Sequence, residues 1–178
     1  LGITELINGK VFERVHPCLV NKNSYIANVN GVMNAVIVKG KPVGESILQG
    51  EGAGPGATSS ALMSDLLSIL RGNIKYPFGI AYSKRKILNA YNTDNYLNSL
   101  YLRFEVKDKP GVLSIITKQL AVKKISVARL IQIPNHKNKT ASIVIITHKS
   151  KEKDAQNCIK TIKSNINILK NPILIRLI

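Results

Sequence analysis

Gln49-Gly-Glu-Gly-Ala-Gly-Pro-Gly-Ala-Thr-Ser-Ser-Ala-Leu-Met-Ser-Asp65 sets four glycines in a short loop that turns directly into an amphipathic segment. Glycine has no Cβ and tolerates positive φ, so backbone at such a loop can lie close to a ligand. A helix that follows aims unpaired N–H groups and a partial positive charge at whatever sits before it. The arrangement suits an anionic or polarised ligand; its plainer reading is a tight strand-to-helix turn. The spacing predicts a helix over 57–70, with Ala61, Leu62, Leu66, Leu67, Ile69 and Leu70 on one broad face. Thr58 is its expected N-cap and Gly72 its stop. That apolar face is expected to be buried against the strands before the loop.

Upstream, residues 1–8 read as a strand ending in the hairpin turn Asn8-Gly9. A second strand covers Val11 to Val20, with Pro17 marking an edge or a bulge. A helical turn is expected over 24–29. Strands follow at 32–38 and 43–49, joined by a turn at Lys39-Gly-Lys-Pro42. Three motifs stand out: Arg14-Val-His-Pro-Cys-Leu-Val20, Asn28-Val-Asn-Gly-Val-Met-Asn-Ala-Val36, and the glycine loop. In this order and spacing they resemble the last third of the catalytic domain of homoserine dehydrogenase, over roughly residues 1–72.

That resemblance implies an NAD- or NADP-dependent oxidoreductase interconverting aspartate semialdehyde and homoserine. Gly52, Ala53 and Gly54 match the family's loop near the nicotinamide end of the cofactor, where backbone contact is the implied role. The segment from Val29 to Val36 is expected in the subunit core or a dimer interface. His16 matches the Val-His-Pro motif, either facing the active site or serving structure. The family's catalytic lysine and substrate carboxylates are expected upstream of Leu1. No catalytic role is therefore assigned to any residue, including Lys10, Glu13 and Asp65. The Gly50–Gly56 run contains G-x-G spacing but lacks the surrounding βαβ unit of a dinucleotide fingerprint.

The second half has its own pattern. Leu100–Val106 alternates with period two, and Lys107-Asp-Lys-Pro-Gly111 turns the chain. Apolar residues from Val112 to Lys123 recur at helical spacing. Strands are expected at 127–133 and 142–147, a helix over 152–164 and a closing strand at 173–177. The order β-α-β-β-α-β predicts a ferredoxin-like unit. The run from Phe104 to Leu113, with Lys124-Ile-Ser-Val-Ala-Arg-Leu-Ile-Gln132, resembles an ACT domain.

The ACT resemblance implies an amino-acid effector, threonine first, held at Asp108, Pro110, Gly111 and Val112. Pro110 presets the turn, Gly111 permits close approach, and the helix from Val112 offers N–H groups to a carboxylate. Asp108 supplies the sign that an ammonium needs. Alternatively, the turn only joins strand to helix. A catalytic segment followed by an ACT domain is the order of the longer form of the homoserine dehydrogenase family.

The fold class expected is α+β. A partial mixed α/β catalytic-domain segment (1–75) leads through a linker (76–97) to a ferredoxin-like βαββαβ ACT domain (98–178). Within the linker, Tyr76-Pro-Phe-Gly79 is expected as a packed turn.

Composition narrows the partners. Of 178 residues, 26 are basic and 10 acidic, a net charge of +16 that invites a nucleic-acid reading. The excess is uneven: residues 1–96 carry ten basic and six acidic residues (+4), and residues 97–178 carry sixteen and four (+12). Lysine dominates, with few aromatic stacking platforms between, so no specific nucleic-acid partner is expected. No apolar run is long enough to span a membrane. Cys18 and Cys158 lie far apart, neither is read as having a Cys or His neighbour at metal-ligand spacing, His16, His136 and His148 are read as isolated, and no metal site is expected. Sparse cysteine suits a reducing cytoplasm. The expected partners are a small-molecule substrate, an amino-acid effector and further copies in a homo-oligomer. The opening at Leu1, inside an apolar segment, reads as a fragment. Two other functions remain open: a stand-alone amino-acid-sensing module, and a basic nucleic-acid binder.

Overall fold

A computed structural model describes residues 1–73 and 75–178. The chain forms two compact units, one from Leu1–Val20 with Leu88–Ile178 and one from Asn21–Ile87.

The larger unit contains the expected βαββαβ arrangement. Strand β6 (Leu97–Lys107) leads into helix α2 (Val112–Val122), then β7 (Val127–Asn135), β8 (Thr140–Thr147), the short β9 (Ser150–Lys151), helix α3 (Glu152–Lys163) and β10 (Ile173–Leu177). The sheet order is β3 (Cys18–Leu19), β10, β6, β8, β7, with β9 pairing separately with the start of β6. All pairs from β10 to β7 are antiparallel. Period-two alternation sends Leu100, Leu102, Phe104 and Val106 to one face, where they are buried with Ile143 and Ile145. Val112, Ile116 and Leu120 from α2, and Ala155, Cys158 and Ile162 from α3, complete that core. Their i, i+4 or i, i+3/i+4 spacing is what puts each set on one stripe. Each fully buried large side chain contributes about 1.5–3 kcal/mol.

The first twenty residues join this unit. Strands β1 (Gly2–Ile7) and β2 (Lys10–Val15) form the hairpin expected at Asn8-Gly9, with φ of 50° and 73° at the turn. The ladder stops before Pro17, which has no N–H to give it. The chain then enters β3 (Cys18–Leu19), which pairs parallel with β10. Phe12 is buried and stacks on Tyr96 with ring centroids 3.9 Å apart. Val11 N–H donates to Asn89 O, and Tyr91 N–H to Val11 O. The spatial units thus cut across the sequence division at 75 and 98, because the hairpin has its partners at 89–98 and on β10.

The smaller unit holds β4 (Met33–Gly40), β5 (Gly44–Glu51) and helix α1 (Pro55–Leu70), preceded by the short 3-10 turn Tyr25–Asn28. β4 and β5 pair as an antiparallel hairpin. Helix α1 starts two residues earlier than the apolar spacing suggests. Pro55 takes the first helical position, where a missing N–H costs nothing, and Gly54 is the N-cap. Thr58 is therefore not the cap; its hydroxyl lies in the first turn and donates to Gly54 O at 2.9 Å. The end is a Schellman motif. Gly72 N–H donates to Ile69 O, and Asn73 N–H to Ser68 O.

The expected burial of α1 is corrected. None of its residues is buried, and Leu62 and Leu70 are 65% and 73% exposed. Among the described residues of 21–87 none is buried at all. Two strands and one helix enclose too little volume to hide an apolar face on both. The turn at 76–79 is corrected too: it is a 3-10 turn, yet Phe78 is 89% exposed, meeting the Arg85 guanidinium 5.5 Å from its ring centroid.

Candidate functional site

Gly52, Ala53 and Gly54 lie where β5 meets α1, all exposed. Gly52 N–H donates to Val32 O at 2.8 Å, which pins the loop to the residue before β4. A Cβ on Gly52 would stand 1.4 Å from Asn34 Nδ2, so any side chain here displaces Asn34 first. Gly54 has φ 120° and ψ 154°, a conformation that L residues rarely adopt. Its carbonyl accepts from Thr58 N–H at 3.1 Å and from the Thr58 hydroxyl. The loop thus presents bare backbone, ahead of a sixteen-residue helix whose first N–H groups have no intrahelical acceptor.

The four candidate effector residues come together at the β6–α2 turn. Asp108, Pro110, Gly111 and Val112 line one depression of about 360 Å³, with Gln132 and Ile143 on its other wall. Gly111 holds φ 87° as the N-cap of α2. Gln132 Nε2 donates to Asp108 Oδ1 at 3.4 Å, fixing the carboxylate's direction across from β7. Val112 has a different part from Gly111: its side chain is buried in the core, and its N–H reaches Lys109 O at 3.4 Å. The helix's own bonding begins with Ile115 N–H to Gly111 O.

Residues 14–18, part of the first motif, make contacts that the sequence pattern does not show. Cys18 Sγ lies 3.2 Å from His16 Nδ1, so these two are neighbours and not isolated. Burial lowers the His16 pKa below its ordinary value, and the Arg176 and Arg14 charges push the same way against a hydrogen bond with Pro17 O. Arg14 Nη1 donates to Glu152 Oε2 at 3.1 Å. Asn98 Nδ2, Gln156 Nε2 and both Nε and Nη2 of Arg176 also donate to that carboxylate. Burial alone would raise the Glu152 pKa; hydrogen bonds from Arg176 and Gln156 and the charges of Arg176 and Arg14 outweigh it and hold it at about 2. Arginine is the signal for this cluster. Only six of the 26 basic residues are arginine, and guanidinium suits a buried, multiply bonded carboxylate better than ammonium does. Among the described residues no three His, Cys, Asp or Glu side chains gather as a metal set. No helix is long and apolar enough to cross a membrane.

The family model of homoserine dehydrogenase matches residues 3–67. Homoserine dehydrogenase of Neisseria gonorrhoeae is 35% identical over 97% of this chain and 41% of its own length. That of Helicobacter pylori is 32% identical over 99% of this chain and 42% of its own. The crystal structure of a homoserine dehydrogenase from Thiobacillus denitrificans superimposes with a TM-score of 0.86 and 31% identity, over 99% of this chain and 41% of that one. The chain belongs to the homoserine dehydrogenase family. It spans about two fifths of the length of these relatives. The family-model match includes His16 and the loop at 52–54, while the likeness to the homoserine dehydrogenase structures extends on through the βαββαβ unit.

Proposed function

We propose that this chain is the C-terminal portion of an NAD- or NADP-dependent homoserine dehydrogenase, with residues 98–178 as its ACT regulatory domain. The reaction interconverts L-aspartate 4-semialdehyde and L-homoserine, a step toward threonine and methionine, in the cytoplasm and in a homo-oligomer. The observation that carries the reading is the likeness over 99% of the chain to the Thiobacillus denitrificans enzyme. Gly52, Ala53 and Gly54 present backbone to the nicotinamide end of the cofactor. The catalytic lysine and the dinucleotide-binding unit belong to the remainder of the enzyme, so the 178-residue chain alone oxidises no NADPH.

Threonine is the effector in this reading. Its carboxylate meets N–H groups of the first turn of α2, which Gly111 leaves uncovered, and its ammonium meets Asp108. Support comes from the depression that gathers Asp108, Pro110, Gly111 and Val112, and from the orientation of Asp108 by Gln132. Calorimetric titration of the chain with threonine tests this. Binding at millimolar concentration or tighter is expected, lost in Gly111→Asp, which adds bulk and repels an anion. Absence of heat from the wild-type chain would make the domain an assembly element.

The stand-alone sensing module is the second reading. It is favoured by one observation: among the described residues, every buried apolar one lies in the unit of residues 1–20 and 88–178.

A further inference from the structure

A second depression, of about 440 Å³, adjoins the candidate effector site and shares Lys107, Asp108 and Lys109 with it. Lys107, Lys109, Lys139 and His136 line it, with Asp108 and Asn138. We propose that it binds a small soluble compound carrying a phosphate group, such as a phosphate monoester or a diphosphate.

Charge is the first argument. Three lysines against one aspartate leave +2 with the histidine neutral, and a phosphate monoester carries about −1.5 to −2 near neutral pH. Among the described residues no carboxylate comes within 4 Å of Lys107, Lys109 or Lys139. Asp108 shares the depression, yet its carboxylate is engaged by Gln132 from the β7 side. Three ammonium groups around one concavity, against a single carboxylate that Gln132 already engages, focus the positive potential there.

Rigidity is the second. The walls are loops tied to one another through backbone: Asp108 N–H donates to Lys139 O at 2.9 Å, and Lys107 N–H to Asn167 O at 3.0 Å. Lys107 and Thr140 are cross-strand partners at the end of the β6–β8 ladder. Lys139 itself holds φ 51°, a left-handed position where glycine or asparagine is usual. The lysines therefore start from fixed points around the depression, so little backbone entropy is lost when an anion enters. Lysine suits this ligand, acting as a point charge with three rotatable donors and imposing no planar fork. The proposal does not rest on the dehydrogenase reading.

Isothermal titration of the 178-residue chain with inorganic pyrophosphate tests it, with succinate as the dicarboxylate arm. One-site binding is expected with Kd below about 1 mM, weakening as salt is raised. Lys107→Gln with Lys139→Asn should weaken it at least tenfold; asparagine keeps the left-handed backbone, so the fold is retained and a thermal melt confirms it. Lys160→Gln with Lys163→Gln on α3 removes the same charge elsewhere and should leave Kd within about twofold. Three results overturn the proposal: no saturable binding, equal weakening by the α3 pair, which means diffuse attraction, or succinate binding as tightly as pyrophosphate.

Discussion

Arg176 Nε donates to Glu152 Oε2 at 3.0 Å, which ties the last strand of the sheet to the first residue of α3. Arg14 reaches the same carboxylate from the N-terminal hairpin, and Asn98 reaches it from β6. One side chain, 3% exposed, thereby joins four elements distant in sequence. Through Arg14 it also holds the residue directly before the Val-His-Pro motif. Glu152 is accordingly the anchor of the hairpin on the ferredoxin-like unit.

Removing that anchor strands two guanidiniums in a largely dry place. Glu152→Ala is expected to cost about 3–5 kcal/mol, the range for breaking a buried pair from one side. Glu152→Gln costs less, since its amide oxygen still accepts. Urea denaturation followed by circular dichroism reads both; a loss below about 1 kcal/mol for alanine would mean the cluster behaves as a solvated surface pair.

The same carboxylate gives the chain an acid limit. Its folded pKa of about 2 lies below the ordinary 4.5, so the folded state favours the ionised form. The stabilisation is complete above about pH 4.5 and is lost as pH falls toward 2. Its size is on the order of 3 kcal/mol. Stability measured from pH 6 down to 2 should fall through this window in the wild type and much less in Glu152→Gln. At the alkaline end, burial and the Glu5 hydrogen bond push the Tyr96 hydroxyl up to about 12. That contribution is present below pH 10 and lost as pH rises beyond it.

The two loop glycines should respond differently to alanine. Gly54→Ala forces a Cβ onto φ 120°, at a local cost of about 1–3 kcal/mol. Gly52→Ala instead meets the end of the Asn34 side chain, which can rotate away. In a complete enzyme, cofactor KM should therefore rise more for Gly54→Ala than for Gly52→Ala. Asn34→Ala should relieve the Gly52 variant only. Equal effects that Asn34→Ala does not change would place the ligand, and not Asn34, against Gly52.

Amide exchange should separate the two units. Residues 21–87 have no buried side chain among those described, whereas Leu100–Val106 and Ala141–Thr147 form the inner strands of a closed core. Backbone amides of α1 are expected to exchange orders of magnitude faster than those of β6 and β8. Mass-spectrometric hydrogen exchange checks this. Comparable protection in α1 would show that its apolar face is covered in solution.

The βαββαβ unit was legible because its strands alternate with period two and its helices carry one apolar stripe. Each signal is local, and each element shows on its own. Gly111 and Pro110 were readable for the same reason, since turn chemistry is written in adjacent residues. Burial of α1 was not, because an apolar stripe states that a face needs covering and not what covers it. Thr58 is not the cap, because Pro55 opens the helix ahead of the first residue of its apolar spacing. The Arg14–Glu152–Arg176 cluster shows in the sequence as scarce arginine alone: its members lie 138 and 24 residues apart, and the pairing of β3 with β10, the Val11–Asn89 bond and the Phe12–Tyr96 stack bring them together.

In the proposed function these residues complete a homoserine dehydrogenase. Its most direct test joins residues 1–178 to the remainder of the Neisseria gonorrhoeae enzyme, in place of the 41% that this chain matches. NADPH oxidation with aspartate semialdehyde is then followed. Turnover is expected from the hybrid and none from the 178-residue chain alone. A hybrid that folds and binds NADPH yet gives no turnover, or a lone chain that turns over, would contradict it.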